Sequence, residues 1–461
     1  MTVRTEFVVL TFLLCQALVI FFLQVTWTTA PTWNEGGSHR LNGPPVLSKL
    51  TNRHPLHGTN SKPASEQKAK RNGSLPRVLA FVFPQFHRDP INDVLWGTGF
   101  TDWNNLFAAP RKNRLGFDIP RPTELGYYDL TNTTVRKMQG DLANQYGIDG
   151  FVYHHYWFYD PSHPGPNLHT PLIEMLNDGH PNVPFFLNWC AIKWAKTWAG
   201  ITANVSKNTD ILQLQYFPEP TDPAVVTHYN WLKQFFHHPN YITVRGQPVL
   251  MLYQKKPRAM PVLQRFRELA MEDGFPGLYI MIGMSKTHDD LFPEGKNEGQ
   301  RFNNLFANLV NRTVSYPNPM NITSKKVMKV PKWCMKDPIP IKKFGFQVTG
   351  ILTSFDNTPR RDFETANLWS ADVPEKVIER FYANLYAAIY YETCCFPQQT
   401  KKSDADNDER FILINAMNEW AEGMALEPSD VFGRQLLQAI ADAKGNVLAS
   451  NCTALHGNLV S

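Results

Sequence analysis

The sequence predicts a (β/α)8 barrel with loop insertions, preceded by an N-terminal transmembrane helix and a flexible stem. From residue 77 onward, short continuous apolar runs alternate with amphipathic stretches. Such apolar runs are typical of parallel strands that are covered on both faces. Seven or eight strand–helix units over about 370 residues fit a barrel better than a doubly wound sheet. No G-x-G-x-x-G follows the first run, which argues further against a dinucleotide-binding sheet.

The N-terminal residues predict a membrane anchor. Phe7 to Val25 contain no charged residue, and this length is close to the 20 or so residues that span a bilayer as a helix. A cleavable signal peptide has a shorter apolar region and a small-residue cleavage site, of which Thr29-Ala30 is a weak example. We therefore expect an uncleaved signal anchor and a type II topology, with a cleaved signal as the alternative.

The segment after the anchor is rich in Pro, Gly, Ser and Asn and lacks helical or strand periodicity, which predicts a flexible stem. Lys68 to Arg71 is either solvated linker or a processing site that releases the domain. The expected organisation is a cytosolic tail (1–6), the anchor (7–25), the stem (26–75), a luminal barrel domain (76–450) and a tail (451–461).

Glycosylation sequons support a luminal position for the domain. Each is an N-x-S/T triplet without proline at the middle position, as a glycosylation acceptor requires. The predicted glycosylation sites are Asn72, Asn132, Asn204, Asn311, Asn321 and Asn451. Of the six cysteines, Cys15 lies in the anchor, so the remaining five cannot all pair within the chain.

The apolar runs and amphipathic stretches also give expected element bounds. Strands are expected at Val78–Phe83, Ile148–Tyr153, Phe185–Leu187, Val249–Tyr253, Leu278–Ile282, Leu305–Val310, Val348–Leu352 and Phe411–Ile414, of which the run at 305–310 has the weakest pattern. Helices are expected at Thr133–Tyr146, Leu168–Asp178, Ala224–His237, Met260–Asp273, Pro374–Cys394 and Val431–Lys444.

Composition sets limits on the partners of the domain. Hydrophobic residues make up 43% of the chain and aromatic residues 13%, enough to build a large core. The net charge of +5 comes without a long basic run interleaved with aromatics and without zinc-finger spacing, so no nucleic-acid partner is predicted.

Residues just past the strands predict a saccharide site, because barrel active sites lie at the C-terminal ends of strands. These positions combine aromatic rings with amides, imidazoles and carboxylates, which suit the apolar C–H faces and the hydroxyls of sugars. The candidate substrate-binding residues are Gln85, His87, Trp103, Tyr153, His154, His155, Trp157, Trp189, Tyr253, Asp356, Asn357, Asn418, Trp420 and Glu427. The alternative for any one of the tryptophans is simple core packing.

Glu419 and Glu422 are the candidate catalytic pair. If a helical turn follows the last strand, they lie at i and i+3, with Cβ atoms about 5–6 Å apart. Repulsion between neighbouring carboxylates raises the pKa of one of them, and an acid beside a carboxylate is the equipment for glycosidic bond cleavage. The alternative is that both are helix N-terminal residues favoured by the helix dipole.

Two further features allow a functional and a structural interpretation. Neighbouring side chains on a strand point to opposite faces, so His154 and His155 cannot readily bind one metal ion, and no metal or other cofactor is predicted. Asp356-Asn357 precedes Thr358-Pro359 and forms either a turn or part of the site. Arg360 and Arg361 follow and can pair with Asp356 or with an anionic substrate group.

At Asn418-Glu419-Trp420-Ala421-Glu422-Gly423 the chain resembles glycoside hydrolase family 99, the endo-α-mannosidases. More of the chain resembles their relatives, the WbsX-type glycosyltransferases of surface polysaccharide synthesis. The matching blocks are residues 83–87, 96–103, 125–130, 153–158, 354–361 and 418–428.

The resemblance implies a (β/α)8 barrel that acts on an oligosaccharide or glycoprotein glycan, without cofactor. It implies a retaining mechanism in which Glu419 deprotonates the 2-hydroxyl of the substrate, while Glu422 protonates the leaving oxygen and then activates water. The type II anchor is similar to that of Golgi endo-α-mannosidases. The expected location is therefore the Golgi membrane with a luminal domain, or secretion after cleavage of the stem or signal.

One segment departs from the WbsX-type pattern and keeps three functions open. Relatives usually read W-A-N-E-N-W where this chain has Trp189 to Trp194, with Ala191-Ile192-Lys193 replacing the central Asn-Glu-Asn. We expect a glycoside hydrolase, because the glutamate pair needs no nucleotide donor. The alternatives are a WbsX-type glycosyltransferase in polysaccharide or glycoprotein glycan synthesis and a catalytically inactive glycan-binding protein.

Overall fold

Eight parallel strands close into a barrel in the computed structural model of the chain, which describes residues 75–195, 211–283, 309–315, 347–369, 371–395 and 410–450. Each strand pairs with its neighbours along the chain, and β1 pairs with both β8 and β2, which closes the sheet. The predicted parallel barrel is confirmed by this pairing. The strands are β1 (Arg77–Val82), β2 (Gly150–Phe158), β3 (Phe185–Trp189), β4 (Gln247–Leu252), β5 (Tyr279–Gly283), β6 (Arg312–Ser315), β7 (Gln347–Leu352) and β8 (Phe411–Asn415).

Helices cover the barrel and fill the loop that follows β1. They are α1 (Pro90–Trp96), α2 (Asp102–Ala108), α3 (Thr133–Tyr146), α4 (Thr170–Asp178), α5 (Pro223–Phe236), α6 (Met260–Glu272), α7 (Pro374–Tyr390) and α8 (Gln435–Ala449). The predicted bounds of α3 are confirmed at both ends. The predicted helix Pro374–Cys394 ends earlier, at Tyr390, and one π-helical turn (Tyr391–Cys395) follows it.

Two predicted elements are shifted along the chain. The strand expected at Leu305–Val310 begins instead at Arg312. This first residue is an arginine on the inner face of the barrel, and its Nε donates to the Tyr279 hydroxyl at 3.1 Å. Because a charged residue interrupts the apolar pattern, the sequence did not indicate where this strand begins. The last helix begins at Gln435 rather than Val431, after a turn in which Gly433 has a φ of 52°.

The alternation of side chains along β2 sorts its residues into two layers. In the sheet register His154 lies beside Asn188 of β3, and the His154 ring stacks on Phe81 of β1 at 5.3 Å. His154 therefore faces the barrel interior. Its neighbours Tyr153 and His155 face the surrounding helices.

The predicted cytosolic tail (1–6), anchor (7–25), C-terminal tail (451–461) and all but the last residue of the stem (26–75) lie outside the described residues. So do the sequons at Asn72, Asn204, Asn321 and Asn451. None of the helices among the described residues has both the length and the apolar character that a bilayer span requires. Cys190 is a free thiol, and Cys394 is disulfide-bonded.

Candidate active site

The turn after β8 carries the predicted catalytic pair. Trp420–Glu422 forms one 3-10 turn, tighter than the expected helix, and Glu419 immediately precedes it. Gly423 ends the turn with a φ of 62°, a left-handed conformation that favours glycine. A Cβ atom at position 423 would lie 3.1 Å from the Cβ of Asp356, and the Ser354 hydroxyl donates to the Gly423 carbonyl at 2.5 Å. The turn is thus fixed against the segment that follows β7.

Arg360 joins both glutamates to a third carboxylate. Its Nη1 donates to Glu422 Oε1 at 2.6 Å and its Nη2 to Glu419 Oε2 at 3.2 Å. Nε and Nη2 also donate to the two carboxylate oxygens of Asp102, at 3.1 and 2.9 Å. The guanidinium carbon lies 5.0 Å from the centre of the Phe83 ring. One cation therefore holds three carboxylates from two separate segments of the chain.

The members of this cluster differ in their access to solvent. The Asp102 side chain is 0% exposed, Arg360 5% and Glu419 8%, whereas Glu422 is 24% exposed. Glu422 is therefore the carboxylate that is open to a substrate. Glu419 lies deeper, beside the guanidinium.

Burial raises the pKa of both glutamates above the ordinary value for a glutamate, by a large margin for Glu419. Arg360 opposes this rise, and the charge of Asp102 adds to it. Although burial disfavours its charge, Arg360 has a pKa well above its usual range because Asp102, Glu419 and Glu422 surround it. The glutamate pair thus retains a proton at a pH where an isolated glutamate has lost it, which provides an acid next to a carboxylate.

Asp356 shapes the turn that presents Arg360. Its Oδ1 accepts hydrogen bonds from the backbone N–H and the hydroxyl of Thr358, at 3.0 and 2.6 Å. Its Oδ2 accepts from Asn113 Nδ2 at 2.9 Å. The turn interpretation is therefore confirmed, and the salt bridges of Arg360 go to Asp102 and the two glutamates. Asn357 accepts from the Asn367 backbone N–H at 2.7 Å and braces the same turn.

Glu427 supports the catalytic turn from behind. It is 1% exposed, and its oxygens accept from the Tyr128 hydroxyl (2.8 Å), Gln139 Nε2 (2.6 Å) and Trp420 Nε1 (2.8 Å). Burial raises its pKa to about 7. With these partners in place, Glu427 and the buried Trp420 hold Glu419 and Glu422 in position. They do not form an exposed wall of the site.

Asn418 ties the same turn to the end of β1. Its Oδ1 accepts from the Phe83 N–H at 2.7 Å, and its Nδ2 donates to the Phe83 carbonyl at 3.0 Å. Because Asn418 is fully buried, these two bonds place the residue before Glu419 with little freedom. Asn418 was predicted to bind substrate, but the structure gives it the role of positioning Glu419.

His154 lines the interior beside the charged cluster. Its Nδ1 lies 3.0 Å from both Asn188 Nδ2 and Cys190 Sγ, and its ring edge meets Tyr253 at 5.9 Å. Burial and then the positive charge of Arg360 lower its pKa to about 3, so the imidazole is neutral. A neutral ring at this depth is a hydrogen-bonding group and not a proton carrier at ordinary pH.

Most of the chain matches one known protein family. A family model described as "Glycosyltransferase WbsX" matches residues 78–440. The chain belongs to the WbsX family. It is accordingly a member of a family of glycan-active enzymes, and the resemblance seen in the sequence is confirmed.

Relatives of this WbsX chain include two curated proteins described as "Uncharacterized protein WxcX", from Xanthomonas campestris pv. campestris strains B100 and ATCC 33913. Each is 26% identical, over 415 and 406 residues, or 84% and 83% of this chain. The matches cover 54% and 53% of the relatives, so the chain spans about half the length of the curated relatives it matches.

Solved structures with a similar chain trace include a GH99 endo-alpha-mannosidase from Bacteroides thetaiotaomicron. That chain is 12% identical, with coverage of 81% of this chain and 98% of that one and a TM-score of 0.45. A second structure, described as a "Glycoside hydrolase-like protein", is 14% identical, with coverage of 80% and 94% and a TM-score of 0.46.

Four predicted substrate contacts of the WbsX domain lie in a different layer from the carboxylates. Tyr153, His155, Trp157 and Trp189 lie on the helix-facing side of the barrel. His155 Nε2 lies 2.9 Å from Nε2 of His228 on α5, and the Trp157 ring stacks on His228 at 4.3 Å. The alternation of the strands directs these side chains away from the interior, so the structure gives them a packing role.

The remaining predicted residues surround the site at the end of β1. Gln85 is buried, and the Gln85 carbonyl accepts from the N–H of Asp102 at 2.8 Å. His87 is buried with Nδ1 on the Pro84 carbonyl at 2.8 Å. Trp103 packs on Phe86 at 4.4 Å and donates to the Tyr128 carbonyl at 2.7 Å. Gln85 and Trp103 fix the first turn of α2, which carries Asp102.

Sequence reasoning missed Asp102 as a member of the WbsX site, and it identified Arg360 only as a partner for Asp356 or for an anionic substrate group. Asp102 stands inside one of the matching blocks, beside Trp103, and this was the available signal. Cys190 and Tyr156 were also missed, although Tyr156 is close enough for Glu419 to influence its pKa. Among the described residues, no group of three or more His, Cys, Asp or Glu side chains is arranged to hold a metal ion.

Proposed function

We propose that the domain cleaves glycosidic bonds in glycans of the secretory pathway, with retention and with endo-α-mannosidase-like specificity. The observation that carries this proposal is the cluster of Arg360 with Asp102, Glu419 and Glu422. An acid and a carboxylate held by one guanidinium are the two groups that glycosidic cleavage requires.

The accessible Glu422 is the acid. It donates its proton to the departing glycosidic oxygen while Glu419 takes the proton of the sugar's 2-hydroxyl. The 2-oxygen then forms a bond to the anomeric carbon as the bond to the leaving oxygen breaks, which gives a 1,2-anhydro sugar. Glu422, now ionised, removes a proton from water, and the water oxygen forms a bond to the anomeric carbon. The bond from that carbon to the 2-oxygen breaks, and Glu419 returns its proton to the 2-oxygen, so both glutamates regain their starting states. Two inversions at the same carbon give net retention.

Arg360 has a positioning role in this scheme. It donates to both glutamates and favours their ionised forms against burial. In this scheme Glu419 begins each cycle ionised, and Glu422, the more exposed of the two, begins it protonated. Because burial raises the pKa of Glu419 more than that of Glu422, the scheme requires that the proton held by the pair lies on Glu422 when the substrate is bound. The description of the matching family supports a second candidate, transfer of the activated sugar to an alcohol instead of water.

Product analysis separates these functions. The full chain is incubated with α-mannosyl and deoxysugar-containing oligosaccharides, with and without nucleotide sugars, and the products are measured by mass spectrometry. Shortened products without a donor, absent in Glu422→Gln but present in the surface control Glu379→Gln, support hydrolysis. Lengthened products that require a donor support transfer. Binding without any product supports an inactive glycan-binding protein.

We further propose a luminal, Golgi-type location with a type II anchor. The uncharged stretch at 7–25, the six sequons and the disulfide-bonded Cys394 support it. The glycan substrate would then be reached within the secretory pathway or, after stem cleavage, outside the cell.

A further inference from the structure

Two exposed aromatic side chains stand together on the surface, one on α2 and one in the loop between α2 and α3. Phe107, near the end of α2, is 61% exposed, and Tyr127 is 46% exposed. Their ring centres lie 4.6 Å apart at an interplanar angle of 45°. Large apolar side chains that are paired on a surface are often functional, because single exposed residues are ordinary but contiguous patches are not.

A chain of ring contacts connects this pair to the catalytic turn. Tyr127 meets Trp103 at 5.2 Å, and Trp103 meets Trp420 at 6.2 Å. Trp420 directly follows Glu419. Ring contacts through two buried tryptophans, which are 5% and 1% exposed, therefore connect the pair to the turn that carries the glutamates.

Helix α2 provides a second connection. Its first residue, Asp102, binds Arg360, and Phe107 lies five residues later, about 7–8 Å along the helix axis. The exposed Asn104 lies at i−3 from Phe107, on the same face of the helix. The Asn104 Oδ1 accepts from the Thr101 N–H at 2.8 Å, which directs the remaining amide function to solvent.

We propose that Phe107 and Tyr127 form an outer saccharide subsite, on which a pyranose ring distant from the cleaved bond stacks while Asn104 binds one of its hydroxyls. This proposal rests on the proposed function, since it assigns the remote part of the same glycan. Sugar C–H faces match aromatic rings, and the short polar amide beside them matches a hydroxyl. Continuity with the catalytic turn favours a glycan chain over a protein partner as the occupant.

The first test compares substrates of different length. For Phe107→Ala and Tyr127→Ala, kcat/KM on an α-mannohexaose falls about tenfold, mainly through KM, while kcat/KM on an α-mannobiose is unchanged. Phe107→Tyr retains the ring and restores most of the loss. The control is Met271→Ala on α6, a side chain that is 59% exposed and remote in sequence from the site. Equal losses on both substrates, or no loss on the hexaose, overturn the subsite.

The second test does not depend on turnover. The full chain carrying Glu422→Gln is run by affinity electrophoresis in gels that contain soluble yeast mannan, galactomannan or dextran. Retardation by one of these polymers that is lost with Phe107→Ala supports the subsite even if no bond is cleaved, which separates it from the proposed reaction. Absence of retardation by all three polymers overturns it. So does a self-association measured by analytical ultracentrifugation that disappears with Phe107→Ala, since the patch then contacts a second copy.

Discussion

Arg360 is the residue on which the candidate site depends most. It is buried, it pairs with three carboxylates, and its charge opposes the rise in the pKa of Glu419 and Glu422 that burial causes. Lysine has the same charge but lacks the planar fork that reaches Asp102 with Nε and Nη2, Glu419 also with Nη2, and Glu422 with Nη1. Substitutions of Arg360 can therefore separate the effect of its charge on the two glutamates from the effect of its hydrogen-bond geometry.

We predict that Arg360→Lys moves the acidic limb of the pH–rate profile to higher pH. The ammonium group of lysine lacks the fork that lets the guanidinium donate to both glutamates, so it stabilises their ionised forms less. The pKa values of Glu419 and Glu422 therefore rise further. Arg360→Met leaves the three carboxylates without their cation and lowers the free energy of unfolding by about 3–5 kcal/mol. The control is Arg434→Lys, in the surface pair with Glu124. An unchanged acidic limb in Arg360→Lys would show that the guanidinium does not set these pKa values.

Glu427 makes a second prediction at the scale of single residues. Its pKa is about 7 in the fold against an ordinary value of 4.5, so the fold favours the protonated form. The stabilisation from this group is fully present below pH 4.5 and is lost as the pH rises through 7, a change of about 3 kcal/mol. Glu427→Gln, which does not titrate, should therefore gain stability relative to the wild type between pH 5 and pH 8.

Urea unfolding at the two pH values measures this difference. The gain of Glu427→Gln over the wild type should be larger at pH 8 than at pH 5, whatever its absolute stability. The surface control Glu379→Gln should show the same difference from the wild type at both pH values. A difference for Glu427→Gln that is independent of pH would mean that this carboxyl titrates normally in the fold.

At the scale of elements, the turn after β8 gives a prediction with a matched control. Gly423 and Gly433 both have a positive φ, 62° and 52°, so alanine costs about 1 kcal/mol of backbone strain at either position. A Cβ at 423 also meets Asp356 at 3.1 Å, whereas a Cβ at 433 meets no atom within 4 Å. Gly423→Ala should lower kcat with little change in KM, because the turn that orients Glu419 and Glu422 must move. Gly433→Ala should lose stability without losing rate, and equal rates in both variants would contradict the proposed role of the turn.

The strands and helices were largely predictable, because apolar runs and amphipathic periodicity are local. Which residues of β2 face the barrel interior was not predictable. Alternation predicts that His154 and His155 point to opposite sides, but only the register against β1 and β3 decides that His154 faces inward. The glutamate pair stands within eight residues of β8 and was recognisable. The partnership of Arg360 with Asp102 joins residues 258 positions apart, which no local pattern reveals.

At the scale of the whole molecule, the proposed luminal location can be tested at the two sequons within the described residues. Asn132 precedes α3 and is exposed, and its Oδ1 caps the helix by accepting from the Thr134 N–H at 2.8 Å. A glycan on its nitrogen would extend into solvent without breaking this bond. We therefore expect Asn132 to be glycosylated when the full chain is expressed in animal cells.

Asn311 should remain unmodified in the folded protein. Its Oδ1 accepts from the Ile280 N–H at 2.8 Å and from Arg267 Nη2 at 3.0 Å, at the start of β6. This side chain is partly buried beside the junction of β5 and β6, whereas Asn132 is exposed, so the nitrogen of Asn311 is less accessible to the glycosylating enzyme. Asn132→Gln should accordingly remove one glycan from the mass of the purified full chain, and Asn311→Gln none. Loss of no glycan in either variant, together with a mass unchanged by N-glycosidase treatment, would contradict the luminal location itself. Loss of a glycan only in Asn311→Gln would contradict the accessibility argument while leaving that location supported.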